Sequence, residues 1–166
     1  MGVIMTLNRI DKESAEVLIE KIKNAVENIV LNIDSVGGSV IWAFKIFEEI
    51  RKSKYPITGV VNGKAGSSAV YVLQACEKRI AFSHSKIHLH TVAINEDHHL
   101  VDKEMLEEAE TKEREMAEFI AERSGMKTAE VIGMMREKRK LSADEALGLK
   151  LVDKVVLGEF FNSEAA

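Results

Sequence analysis

Leu31-Asn32-Ile33-Asp34-Ser35-Val36-Gly37-Gly38-Ser39-Val40 is the stretch from which the fold can be read. Ile29 to Ile33 is an apolar run rich in β-branched residues, the pattern of a strand, and it leads directly into paired glycines. From Val40 the apolar positions Phe44, Phe47 and Ile50 take helical spacing, until Pro56 stops the helix by about Tyr55. A strand that hands over to a helix through a short glycine turn is the repeating unit of a parallel sheet. The unit recurs on both sides. Val3 to Leu7 predicts a strand, and Asp11 opens a helix carrying Ala15, Leu18, Ile19, Ile22 and Val26. Ile57 to Val61 predicts another strand, followed by the turn Gly63-Lys64-Ala65-Gly66-Ser67-Ser68-Ala69 and a short apolar helix to about Ala75. Arg79 to Phe82 and Ile87 to His90 predict two more strands.

The second half changes character. Val101 to Arg123 is one long helical pattern with Met105, Leu106, Ala109, Met116, Phe119 and Ile120 on its apolar side, and Ser124-Gly125 ends it. Thr128 is read as the cap of a helix through Met135. Ser142 and Glu145 form a capping box, Gly148 ends that turn, and Leu151 to Val156 predicts a final strand. With no repeat, low-complexity tract or linker, the chain reads as one domain over residues 1–166, with a helical arm at about 92–124.

Composition narrows the function classes. The chain has 166 residues, 46% hydrophobic and 30% charged, which suits an ordinary globular domain. Its net charge of −4 argues against a broad basic surface for nucleic acid, and no apolar run is long enough to span a bilayer. The lone cysteine, Cys76, excludes an intramolecular disulfide framework and an all-cysteine zinc site, and fits a reducing, cytoplasmic setting. The N-terminus lacks the basic start and length of a signal peptide.

Three places hold residues fit for chemistry. Val36-Gly37-Gly38 is either a plain strand-to-helix turn or a loop whose free amides stabilise an oxyanion, and it lacks the third glycine of a dinucleotide site. In the turn from Gly63, Ser67 or Ser68 is either a helix cap or a nucleophile in the field of a helix N-terminus. That turn is neither a G-x-S-x-G elbow nor a P-loop. Third, the spacing of His88 and His90 sets both on one face of a strand. There one of them is a general base, a structural histidine, or a metal ligand with Asp97, His98 and His99.

The order of these features resembles the proteolytic subunit of the Clp protease, a serine peptidase of the ClpP/crotonase-like fold. The run from Leu31 to Val40 is similar to that family's L-x-I-N-S-P-G-G-S-V, and Gly63-Lys64-Ala65-Gly66-Ser67 to its G-x-A-A-S. Ser85-Lys86-Ile87-His88-Leu89-His90 resembles S-R-x-M-I-H. Leu141-Ser142-Ala143-Asp144-Glu145-Ala146, with Gly148-Leu149 and Leu151-Val152-Asp153, resembles the closing L-S-A-x-E-A-x-x-x-G-L-V-D. The resemblance implies an α/β ClpP/crotonase-like fold with a protruding helical handle. It implies Ser67 as nucleophile, His90 as base, Gly38 and Ser68 amides as oxyanion hole, a polypeptide substrate bound as an added strand, a homo-oligomer (ring-like or smaller), and no cofactor or metal.

The departures matter as much. The family's acid stands three residues before L-S-A, where this chain has Lys138 in Arg136-Glu137-Lys138-Arg139-Lys140-Leu141. Lysine cannot accept the imidazole N–H, and its charge disfavours the imidazolium. Glu137 as a tentative acid after a one-residue slip, a Ser–His dyad, an impaired subunit acting as an assembly or scaffold partner, and a Ser–Lys pair using Lys138 are the alternatives. A crotonase-like acyl-CoA enzyme is a remote one. Val36 replaces the family's proline. Asp102 to Glu115 carries seven acidic and three basic residues, read as a solvated face, and the arm's apolar stripe is expected to be covered by a second subunit. The family's axial N-terminal segment has no counterpart before Val3, so docking of a Clp-type ATPase in the usual way is not expected.

Overall fold

In the computed structural model, which describes residues 2–91 and 103–158, the first half alternates strand and helix: β1 (Val3–Leu7), α1 (Lys12–Lys23), β2 (Ile29–Ser35), α2 (Val40–Lys52), β3 (Ile57–Gly66), α3 (Ser68–Ala75) and β4 (Lys78–Phe82). Then follow β5 (Lys86–His88), α4 (Lys103–Ser124), α5 (Thr128–Arg136), β6 (Lys140–Ser142), α6 (Ala143–Gly148) and β7 (Lys154–Val156). The strands β1-β2-β3-β4-β7 lie side by side in that order and all parallel, as the alternation predicts. The helices form a chain of neighbours, α1 on α2, α2 on α3, α3 on α4 and α4 on α5.

β3 departs from expectation, and usefully. The spacing predicts a strand ending at Val61 and a glycine-rich loop beyond it; instead β3 continues to Gly66. Its first half pairs with β4, and Lys64, Ala65 and Gly66 pair in parallel with Lys86, Ile87 and His88 of β5. Between the two halves the register with β2 slips: Ile33 faces Val61, but Ser35 faces Ala65, so three residues of β3 stand against Asp34 alone. Gly63 takes the bend at φ +112, and a Cβ there would sit 2.5 Å from Asp34 Oδ1. The broken ladder is repaired by side chains. Lys64 N–H donates to Asp34 Oδ1 (3.1 Å), and Gly63 N–H donates to Ser85 Oγ (3.3 Å), which itself donates to the Val61 carbonyl (2.8 Å).

Smaller corrections have local causes. Asp11 caps α1 by accepting from Ser14 N–H (2.9 Å), but α1 ends at Lys23, so Val26 is off the helix and 81% exposed. Thr128 is the first helical residue of α5, not its cap; Lys127 precedes it, its N–H bonded to Glu130 (2.7 Å). β6 was not foreseen, because three residues beginning with lysine carry no strand period. Leu151 and Val152 are buried but lie outside β7.

The arm is anchored within its own chain. Phe47 of α2 stacks on Tyr71 of α3 (4.2 Å between centroids), and Phe119 of α4 meets Phe47 edge-on at 4.5 Å. Met116, Ala117, Ile120 and Ala121 are buried against this body, so the described part of the stripe is covered without a second subunit. The side chains of Met105, Leu106 and Ala109 lie outside the described residues. Cys76 is buried beneath α3, and burial pushes its thiol up to about 12. No described helix is long and apolar enough to cross a membrane.

The C-terminal segment is pinned to β4 by a buried arginine. Arg79, with a side chain only 5% exposed, donates from Nε and a terminal nitrogen to the Asp153 carboxylate and from its other nitrogen to Gln74 Oε1 (2.6 Å). Gln74 Nε2 in turn donates to the Leu151 carbonyl at 3.1 Å. Burial raises the pKa of Asp153, but the side-chain and backbone hydrogen bonds from Arg79 outweigh it and the net shift is downward. Removing the carboxylate strands a buried guanidinium, so Asp153→Ala is expected to cost about 3 kcal/mol in urea unfolding at neutral pH. Because the folded pKa is depressed, this stabilisation is present above the ordinary aspartate range and lost as pH falls through the folded value. The gap between wild type and variant therefore closes in acid unfolding curves.

Candidate active site

Four strand ends meet at a cleft of about 540 Å³. Asn8 and Arg9 follow β1, Val36 to Gly38 follow β2 with Val40 at the start of α2, Ser67 follows β3, and His90 lies just beyond β5. The carboxyl ends of parallel strands are where such sheets bind ligands. The structure thus brings together three residues singled out from the sequence, Gly38, Ser67 and His90. Asn8, Arg9 and Val40 were missed. The one signal available for them was Gly38 itself, whose need for a bare backbone announces a close neighbour.

That neighbour is Ile10. Gly38 adopts φ +148, and a Cβ on it would fall 2.2 Å from the Ile10 carbonyl oxygen. Ile10 N–H donates to the Gly37 carbonyl (3.3 Å), and Ser39 N–H donates to the Ile10 carbonyl (2.7 Å). On its other side the turn presses on the serine: a Cβ on Gly37 would lie 2.9 Å from Ser67 Cβ and 3.2 Å from Ser68 N. Ser68 Oγ donates to the Gly38 carbonyl at 3.3 Å, tying the two loops. Among the described residues the N–H groups of Gly38 and Ser68 donate to no protein acceptor.

Ser67 occupies the N-cap position of α3, yet its hydroxyl makes no cap bond. Ser39 and Ser142, in the same position on α2 and α6, do cap with theirs. The difference lies in the backbone: Ser67 takes φ 53 and ψ −127, with its N–H donating to the His88 carbonyl (2.8 Å). Among the described residues its hydroxyl is left uncommitted, at the amino end of a helix.

His90 Nδ1 lies 2.7 Å from the carbonyl oxygen of Thr91. A carbonyl can only accept, so Nδ1 carries the hydrogen and Nε2 keeps the lone pair. His88 does not line the cleft. Its ring lies 4.9 Å from that of His90, and its Nε2 is buried with no partner. Burial lowers the His88 pKa, the charges of His90, Lys140 and Lys138 lower it further, and the Lys138 backbone carbonyl opposes them. No group of three potential metal-binding side chains occurs among the described residues, and Asp97, His98 and His99 lie outside them.

Glu137 is not brought to His90. Its side chain is 66% exposed and its carboxylate faces Arg139 Nη1 at 3.7 Å. The geometric reason is the antiparallel pairing of β5 and β6, in which His88 faces Lys140 and Leu89 N–H donates to the Arg139 carbonyl (2.9 Å). The paired register ends there, and Glu137 and Lys138 lie in the turn between α5 and β6. Lys138 is exposed and takes φ 53.

Comparison with known proteins agrees with this architecture. The sequence model of the family described as Clp protease matches residues 2–159. The chain is similar to "ATP-dependent Clp protease proteolytic subunit 2" of Rhodococcus jostii (strain RHA1), 31% identical over 150 residues that cover 88% of this chain and 76% of that protein. The protein of the same name from Corynebacterium diphtheriae is 29% identical over 150 residues, covering 88% and 75%. That from Corynebacterium efficiens is 30% identical over the same shares. With a serine, a histidine and a glycine turn gathered at one cleft, and a family match over nearly its whole length, the chain belongs to the Clp protease family.

Proposed function

We propose that this chain hydrolyses peptide bonds as a serine peptidase in which Ser67 and His90 act as a pair without a carboxylate third member. Ser67 Oγ attacks the peptide carbonyl while His90 Nε2 takes its proton, and the same nitrogen then returns that proton to the leaving amine. Water completes the reversal, freeing the acid and restoring the serine. The Gly38 and Ser68 amides hold the oxyanion. The Thr91 carbonyl does part of an acid's work: it keeps the imidazole in the right tautomer but brings no negative charge to the imidazolium. The substrate lies extended along the segments flanking Gly38 and His90, adding a strand. The observation that carries this reading is Ser67, placed to cap α3 and capping nothing.

We further place the chain in a homo-oligomer, in a cytoplasmic setting that suits a lone buried thiol. Lys138 favours a second reading, a non-catalytic subunit that assembles with an active peptidase. One experiment separates the two. A fluorophosphonate probe is expected to label the wild-type oligomer at Ser67, with labelling lost in Ser67→Ala and His90→Ala; a folded oligomer that stays unlabelled and hydrolyses no peptide leaves only the second reading. Native mass measurement reports the assembly, and a monomer overturns the oligomeric part.

Lys138 supplies a prediction of its own. Aspartate tolerates the left-handed backbone of this position. Lys138→Asp restores a carboxylate at the position of the family's acid, so kcat is expected to rise about tenfold or more, with Lys138→Met giving the smaller gain of charge removal alone. Steady-state hydrolysis of a fluorogenic peptide checks the order Asp above Met above wild type.

A further inference from the structure

We propose that Arg9 makes this cleft selective for acidic peptides, those carrying aspartate or glutamate within a residue or two of the scissile bond; the inference rests on the peptidase reading and names its substrate class. Arg9 lines the cleft beside the glycine turn, and it is not on a loose tail. Leu7 before it is buried at the end of β1, and Ile10 after it is held by both of its backbone groups to the Gly37–Ser39 turn. The Arg9 backbone is thereby held beside the glycine turn.

The charges around the cleft point one way. Among the described residues no carboxylate lines it. The nearest acid bonded to Arg9 is Asp11, 3.1 Å from Nε, and that carboxylate is also committed to the Ser14 N–H at the start of α1. The pair is open to solvent, with Arg9 79% and Asp11 40% exposed, and the remaining donors of the guanidinium fork stay available. A chain of net charge −4 therefore presents a cation, Arg9, to whatever enters its cleft. Val36 and Val40 supply apolar surface beside it. A peptide carboxylate meets opposite charge there, whereas a lysine side chain meets like charge.

Binding, read apart from catalysis, tests this. Fluorescein-labelled peptides differing only by Glu, Gln or Lys next to the cleavage position are titrated into the Ser67→Ala chain and followed by anisotropy. The Glu peptide is expected to bind about threefold to fivefold tighter than its Gln isostere, with Lys weakest and the spread narrowing at high salt. Arg9→Gln is expected to erase the advantage of Glu over Gln, and Arg9→Glu to reverse the order of Glu and Lys. Equal affinities for Glu and Gln, or an order that Arg9→Glu leaves unchanged, overturn the selectivity. The charge order appearing while the wild-type chain hydrolyses nothing supports the acidic selectivity and overturns the peptidase reading instead.

Discussion

The site depends on the bend of β3 at Gly63. A straight β3 can serve β4 or β5 along one edge, not both in turn. Because the strand slips register past Asp34 and swings at Gly63, its first half closes the main sheet and its second half carries Ser67 out to meet β5. The bend costs ladder hydrogen bonds, and the Asp34 carboxylate and Ser85 hydroxyl replace them. Ser85 belongs to the same short segment that delivers His90. Ser67 and His90 are thus held by one latch, which brings stretches distant in sequence together within a single small domain.

Much of this could be read from the residues, and the misses share a cause. Strand–helix alternation, the glycine turn and the serine–histidine order depend on local periodicity and short motifs, and all reappear in the structure. The second half of β3 was invisible because Gly63-Lys64-Ala65-Gly66 has the composition of a loop; only pairing with β5, supplied from over twenty residues away, makes it a strand. β6 was missed for the same reason. The cleft wall from Asn8 and Arg9 is polar and aperiodic, and its placement follows from the Ile10 pairing with Gly38, which no local pattern encodes. For Glu137, a one-residue slip looked harmless in sequence, but in the turn before β6 its carboxylate is exposed and faces Arg139.

The His90 ring has a neutral hydrogen-bond partner where a charge relay asks for an anion. The charges of Lys138 and Lys140 act on the neighbouring His88, while the polar partner of the His90 ring among the described residues is a neutral carbonyl. That bond fixes the tautomer in which Nε2 keeps the lone pair.

Cys76 has a practical consequence. It is the chain's only cysteine, sealed under α3, with its thiol held far from thiolate at neutral pH. The surface therefore offers no competing sulfur. A cysteine introduced at a chosen exposed site would be the sole reactive thiol in the folded protein, so spin labels, fluorophores or crosslinkers could be attached one position at a time on the natural background, with no cysteine-free version to engineer first.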